Sequence, residues 1–301
     1  MPKFLASDLH GIHAILYAFF DKEEKLDRAA MKRQVEICLS AGVHGVAALG
    51  LATEVAKLTE AERLAVMDWT AEDTAGRVPL AFTIFGSSVA EQVAQVRHAE
   101  SVGADWVVLQ PPTGGSYAAP EYIRFFGRVA GAASVPVAIQ NAPAFLGRGL
   151  TSDEIRDLVD QHPNISLIKG EGPVTDIAGL IERTEGRMPV FNGRGGLELI
   201  DNLRIGCKGM ILAPDVIDFS VRAYEAFRAG DEVAAETEYA KFLPAAVFIM
   251  QGIEYLMCYG KRLFAVRAGL EVHDRGPAMR PNTTGIKMVE RFAAKLGSLD
   301  A

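Results

Sequence analysis

The sequence predicts a (β/α)8 TIM barrel carrying a C-terminal helical extension, on three observations. Eight short β-branched or apolar runs recur along the chain, each followed by a longer amphipathic stretch. They return at intervals of about 20 to 35 residues, the cadence and count of such a barrel. Most do not alternate polar with apolar residues, as expected of parallel strands buried on both faces. A doubly wound sheet fits less well, because its usual strand number is smaller and its Gly-rich first turn is missing here.

The expected strands are 12–19, 43–49, 79–85, 105–110, 136–141, 165–170, 189–193 and 208–213. The first helix, 29–41, places Ala30, Gln34, Ile37 and Cys38 on one face, with Asp27 as its N-cap. The next, 59–71, opens on Thr59-Glu60-Ala61-Glu62, a capping box. Helix 88–102 starts on Ser88-Val89-Ala90-Glu91, the same device, and stops at Gly103. Thr151-Ser152-Asp153-Glu154 begins another, which His162-Pro163 ends. Beyond Ala213 the pattern is helical only, from Phe219 to Leu296. Residues 1–218 are therefore expected to form the barrel. Residues 219–301 are expected to form a helical segment packed on the barrel or on a neighbouring subunit.

Composition narrows the function. Hydrophobic residues at 49% and charged residues at 23% suit a soluble chain with a large core. A formal charge of −7, with no basic run interleaved with aromatics, argues against nucleic acid as a partner. No apolar stretch reaches the roughly 18 residues of a membrane helix, and the first ten residues do not read as a signal peptide. Cys38, Cys207 and Cys258 are far apart and lack CxxC spacing, which fits a reducing, cytoplasmic setting without disulfides. The six histidines show no metal-ligand spacing, so no metal or other cofactor is expected.

Barrel enzymes work at the C-terminal ends of their strands, so polar residues there are the candidates. Strand 2 ends in Gly50-Leu51-Ala52-Thr53-Glu54, strand 5 in Gln140-Asn141-Ala142-Pro143, strand 6 in Lys169-Gly170-Glu171-Gly172 and strand 7 in Asn192-Gly193-Arg194-Gly195-Gly196. A lysine closing the apolar run Ile165-Ser166-Leu167-Ile168 carries the most weight. Inside a barrel its amine is expected to be partly desolvated, which lowers its pKa toward neutrality and lets it attack a ketone. The alternative is a strand-end lysine that snorkels to solvent or pairs with Glu171. The segment Gly193-Arg194-Gly195-Gly196 has the form of an anion nest beside a cation. His13 is expected near the pocket in a structural role.

From Gly11 to about Phe292 the chain resembles the dihydrodipicolinate synthase and N-acetylneuraminate lyase superfamily, the class I Schiff-base aldolases and dehydratases. The resemblance rests on Gly11-Ile12-His13, Phe19-Phe20-Asp21 and Leu26-Asp27 at the start, then on Gly42-Val43-His44-Gly45-Val46 and Leu58-Thr59-Glu60-Ala61-Glu62-Arg63. Pro143, Gly147, Lys169 and Arg280-Pro281 extend it. It implies that Lys169 forms the Schiff base with a small 2-keto acid. It also implies a barrel with a C-terminal helical bundle and a homotetramer built from dimers.

The departures are specific. The family's strand 2 motif, commonly Gly-Thr-Thr-Gly-Glu, is Gly50-Leu51-Ala52-Thr53-Glu54 here, so Leu51 and Ala52 replace the tandem hydroxyls that hold the keto-acid carboxylate. The family's Tyr-Asn-x-Pro is Gln140-Asn141-Ala142-Pro143, so the proton-shuttling tyrosine is absent. Phe145 stands where dihydrodipicolinate synthases carry an arginine, which argues against that synthase activity. Glu171, two residues after Lys169, returns to the same face and can act as acid and base, with Gln140 orienting a water. Each also has a bland reading: Glu171 as an ion pair holding Lys169, Gln140 as a barrel-end hydrogen bond. Glu54 is read as a structural carboxylate or as part of the substrate-binding set 51–54. These positions resemble the branch that dehydrates L-2-keto-3-deoxyarabonate. The alternatives are a pyruvate-releasing retro-aldolase and a catalytically silent keto-acid binding protein.

Overall fold

In the computed structural model, which describes residues 3–300, the eight runs form eight parallel strands closed into one barrel in sequence order. They are β1 (Gly11–Ile15), β2 (Gly45–Ala48), β3 (Leu80–Ile84), β4 (Trp106–Leu109), β5 (Val137–Asn141), β6 (Ile165–Gly170), β7 (Val190–Asn192) and β8 (Gly209–Leu212). β8 pairs back on β1 through Gly11↔Gly209 and its neighbours, which leaves no free sheet edge. Every strand residue is buried except Ser166 and Asn141, which are half-buried. That two-sided burial is why the runs lack alternation.

The first strand is shorter than expected. Its ladder stops at Ile15, and residues 16–20 continue as buried chain outside the strand. Side chains take over its backbone groups there. The Gln34 amide accepts from Tyr17 N at 2.8 Å and donates to Tyr17 O at 3.0 Å, and Thr53 Oγ1 donates to Leu16 O at 2.6 Å.

The helices around the barrel are α1 (Arg28–Ser40), α2 (Glu60–Thr74), α3 (Val89–Ser101), α4 (Ala119–Ala130), α5 (Pro143–Leu146), α6 (Ser152–Gln161), α7 (Val174–Arg183), α8 (Leu199–Arg204) and α9 (Ile217–Arg228). Asp27 caps α1 by accepting from Ala30 N, and Thr59 and Thr151 form full capping boxes with Glu62 and Glu154. Ser88 caps α3 alone. The Glu91 carboxylate reaches past it to Ser87 N, so only half the expected box forms.

Helix α9 runs through position 218, where the sequence pattern turns wholly helical, and packs on β1 and α8. After it come α10 (Glu232–Ile249), α11 (Ile253–Tyr255), a π-type turn at Leu256–Gly260, α12 (Lys261–Ala268) and α13 (Thr283–Leu296). Two buried cations tie this segment to the barrel end. Lys261 pairs with Glu54 just beyond β2. Arg267 grips Asp218 with both terminal nitrogens and donates to the carbonyls of Asp215 and Gly297. No single helix among the described residues is long and apolar enough to cross a membrane. Taken together, α10 and the 253–268 stretch pass by composition, but they meet at a 109° bend.

Candidate active site

The β5–β6 register sets Gln140 beside Lys169 and Asn141 beside Gly170 at the C-terminal end of the barrel. Lys169 is 3% exposed and Gln140 2%. Glu171 leaves the strand with its N–H donating to Asn141 O at 2.9 Å, and its side chain turns back toward the lysine. Lys169 Nζ lies 3.5 Å from Glu171 Oε1. The other carboxylate oxygen, Oε2, accepts from Gln140 Nε2 at 2.5 Å, and Gln140 Oε1 accepts from Gln110 Nε2 at 2.8 Å. A nucleophilic amine, a carboxylate and two amides therefore form one connected buried chain.

The loops around this chain are fixed by backbone bonds. The Asn141 amide donates to Leu150 O at 2.9 Å and accepts from Leu150 N at 2.8 Å, closing the loop that carries Phe145. Asn192 Nδ2 donates to Gly172 O and to Asn202 Oδ1, while its Oδ1 accepts from Gly193 N at 2.7 Å. Gly193 lies directly against the Glu171 carboxylate: a Cβ there would penetrate Oε1. Gly195, at φ +59°, is equally constrained by Met250.

Lys169 and Glu171 line a small pocket at the barrel mouth. Leu51, Ala52 and Phe145 supply much of its apolar wall, and Arg194 and Gly195 enter from the β7 loop. Met250, Ile253 and Leu256 close it from the C-terminal helices, so this segment covers the mouth of the barrel. Roomier hollows exist, among them one of about 1010 Å³ beside Glu54 and Asp274, but Lys169 is not on their walls. A pocket of mixed polar and apolar lining, with a lysine, a carboxylate and an arginine converging on it, suits a small polar organic molecule.

Four expected site residues are not on the pocket wall: Gln140 and Gly193, which touch Glu171 from behind, and Thr53 and Glu54. The Thr53 hydroxyl is spent on Leu16 O, and Glu54 is held by Lys57 at 2.5 Å and by Lys261. Neither lines the cavity with Lys169. The reason is local: Leu49 (φ 65°) and Glu54 (φ 54°) adopt left-handed backbone, so the two-residue alternation of a strand does not continue through this turn. Arg194 does reach the cavity, but its Nη1 donates to Glu198 Oε2 at 2.6 Å and Gly172 O at 3.2 Å, so much of its donor capacity is already used. His13 sits in the middle of β1, packed edge-on to Trp106 and Phe191 and away from the cavity. Burial lowers its pKa to about 3.

Sequence reasoning passed over two further groups. Gln110 follows β4 directly and Asp215 follows β8 by three residues, so the strand-end rule that selected Lys169 reaches both. Tyr17 donates to Asp215 Oδ1 at 2.8 Å, and Asp215 Oδ2 is buried without a partner. Burial pushes the Asp215 carboxyl up to about 7, against the opposing pull of the Tyr17 hydrogen bond and Arg267. Among the described residues, no group of three or more His, Cys, Asp or Glu is placed to hold a metal ion.

Comparison with known proteins agrees with this geometry. The 4-hydroxy-tetrahydrodipicolinate synthase of Methanoculleus marisnigri is 31% identical over 243 residues, 78% of this chain and 82% of that protein. YjhH of Escherichia coli K12, named a probable 2-dehydro-3-deoxy-D-pentonate aldolase, is 28% identical over 238 residues, 77% and 79% of the two chains. The crystal structure of E. coli K12 YagE in complex with pyruvate superposes with a TM-score of 0.89 at 25% identity, covering 96% of this chain and 98% of that one. The family model described as the dihydrodipicolinate synthetase family matches residues 8–277, nine-tenths of the chain, and this protein belongs to that family of lyases and aldolases.

Proposed function

We propose that this protein is a Schiff-base lyase that dehydrates a 2-keto-3-deoxy sugar acid, with L-2-keto-3-deoxyarabonate as the leading substrate. The observation that carries the reading is Lys169 and Glu171 together on the wall of a small pocket, with Gln140 behind them holding the Glu171 carboxylate. Lys169 Nζ attacks the C2 ketone, and loss of water leaves an iminium. Glu171 takes a proton from C3, giving an enamine. The enamine expels the C4 hydroxyl as water, using the proton that Glu171 has just received. Hydrolysis of the iminium frees Lys169 and an unsaturated keto acid, which tautomerises to 2-oxoglutarate semialdehyde. The net change is loss of one water.

Phe145 on the cavity wall, in place of an arginine, supports the reading against dihydrodipicolinate synthesis. Leu51 and Ala52 leave carboxylate binding to backbone N–H groups, with Gly193, Arg194 and Gly195 toward the far end of the substrate. Retro-aldol cleavage is the second reading, favoured by the aldolase designation of YjhH. It begins with the same iminium but ends in pyruvate. A homotetramer built from dimers is the proposed assembly, to be checked by light scattering.

Borohydride reduction in the presence of pyruvate, read by intact mass and peptide mapping, tests the class. A reduced adduct on Lys169 is expected. No adduct with pyruvate or with a panel of 3-deoxy-2-keto acids leaves a silent keto-acid binder as the better account. The product formed from the panel then separates dehydratase from aldolase.

A further inference from the structure

We propose that Gln110 is a positioning residue for Glu171, acting through Gln140 as one half of an amide pair that serves both protonation states of the carboxylate. The inference rests on the Schiff-base reading of Lys169. An ionised carboxylate can only accept hydrogen bonds, so Gln140 must present Nε2 to it, as it does at 2.5 Å. Gln140 then shows Oε1 to its other side, where Gln110 Nε2 fills it at 2.8 Å. Gln110 itself is 2% exposed, and Gln92 Nε2 holds its backbone carbonyl at 3.0 Å and Gly86 O at 3.2 Å. Its strand end is therefore fixed.

The chain of amides stops there, since Gln110 Oε1 has no protein partner among the described residues. That open end matters. When Glu171 gains a proton it becomes a donor, and the group facing it should be an oxygen. If both amides turn over together, Gln140 Oε1 accepts from the Glu171 acid and Gln140 Nε2 donates to Gln110 Oε1. Both hydrogen bonds survive the change, and no bond beyond Gln110 is broken. A single amide anchored to a fixed donor would oppose one of the two states, because a carbonyl oxygen against a carboxylate is repulsive and a lost partner in a buried site is costly. In the proposed reaction Glu171 must accept a proton and then deliver it within one turnover.

Exchange of pyruvate methyl protons with D2O isolates this step, because the iminium on Lys169 gives its C3 proton to the base and receives a deuteron back. For Gln110→Met, an isosteric change without donor or acceptor, exchange is expected to fall about ten-fold with KM for pyruvate within about two-fold of the wild type. Borohydride adducts should still form on Lys169. In a Gln140→Met background the same change should have no further effect, since Gln110 acts through that amide. Should Gln110→Met fail to fold, Gln110→Asn, one methylene too short to reach Gln140, is expected to give the same loss. Exchange at the wild-type rate in the folded variant, or losses that simply add in the double variant, would overturn the role of Gln110. Absence of any adduct in the wild type would instead overturn the Schiff-base reading beneath it.

Discussion

The barrel mouth holds two buried lysine–glutamate pairs that differ in almost every respect except burial. Lys261 meets Glu54 in close contact, Lys57 takes the second carboxylate oxygen, and the Phe20 ring lies 5.4 Å from the Lys261 nitrogen. Lys169 stands off from Glu171 at 3.5 Å, and the second oxygen is taken by a neutral amide. In the first pair two cations surround one carboxylate and the site is electrostatically closed. In the second, one cation faces one carboxylate with a cavity beside both. Burial alone therefore does not mark a reactive lysine. What separates the two is whether the partners are saturated, since open space borders both: Glu54 and Lys57 also line a hollow of their own.

Four substitutions sharpen that contrast, the first three from the largest effect to the smallest. Lys169→Ala is expected to abolish adduct formation and to lower turnover by about 10³-fold or more in the folded fraction. A folded variant that still turns over would remove Lys169 from the chemistry. Lys261→Met should do the reverse. It strands a buried carboxylate with a single partner and costs about 3–5 kcal/mol of stability, while the folded fraction still forms the Lys169 adduct. Chemical denaturation measures it, and an unshifted midpoint would mean that the closed pair does not hold the C-terminal helices.

Glu171→Gln is expected to keep the borohydride adduct and to lose about 10²-fold or more in C3 exchange and dehydration. Loss of the adduct with intact fold would instead assign Glu171 to holding the lysine. The fourth substitution concerns Asp215, a buried acid outside both pairs. Its folded pKa of about 7 stands above the roughly 3.9 of an unfolded chain. Between those values the native state keeps a proton that the unfolded state has lost, so wild-type stability falls as pH rises from about 4 to 7 and then levels off. Asp215→Asn removes that slope, with a relative gain above pH 7 of about 4 kcal/mol at most. Parallel stability curves for the two proteins from pH 4.5 to 8 would show that Asp215 does not titrate in this range.

Much of this was legible in the chain, and the failures have local causes. The eight strands were readable because burial on both faces forces uniform apolar runs, and Lys169 stood out because a charged residue ends one of them. Strand 1 was read four residues too long. Residues 16–19 are as apolar as the strand, but Leu16 O and both backbone groups of Tyr17 bond to the side chains of Thr53 and Gln34, which no periodicity announces. Thr53 and Glu54 follow β2 and were candidates by that position alone, but left-handed backbone at Leu49 and Glu54 turns the chain there, and Glu54 takes the structural place that its other reading gave it. Gln110 was overlooked for another reason. The strand-end rule reaches it, but a neutral amide announces no chemistry until its partner is known, and that partner lies 30 residues away.

The contact between Gly193 and the Glu171 carboxylate bears on redesign. Laboratory evolution of a pocket usually samples every residue around it, and a glycine in a loop looks like free space. Here a single methyl group would press on the Glu171 carboxylate and force it to shift, so activity should fall across a library at position 193. Changes in substrate preference are better sought at Leu51, Ala52 and Phe145, where side chains already form the wall and new ones can reshape it without moving Glu171.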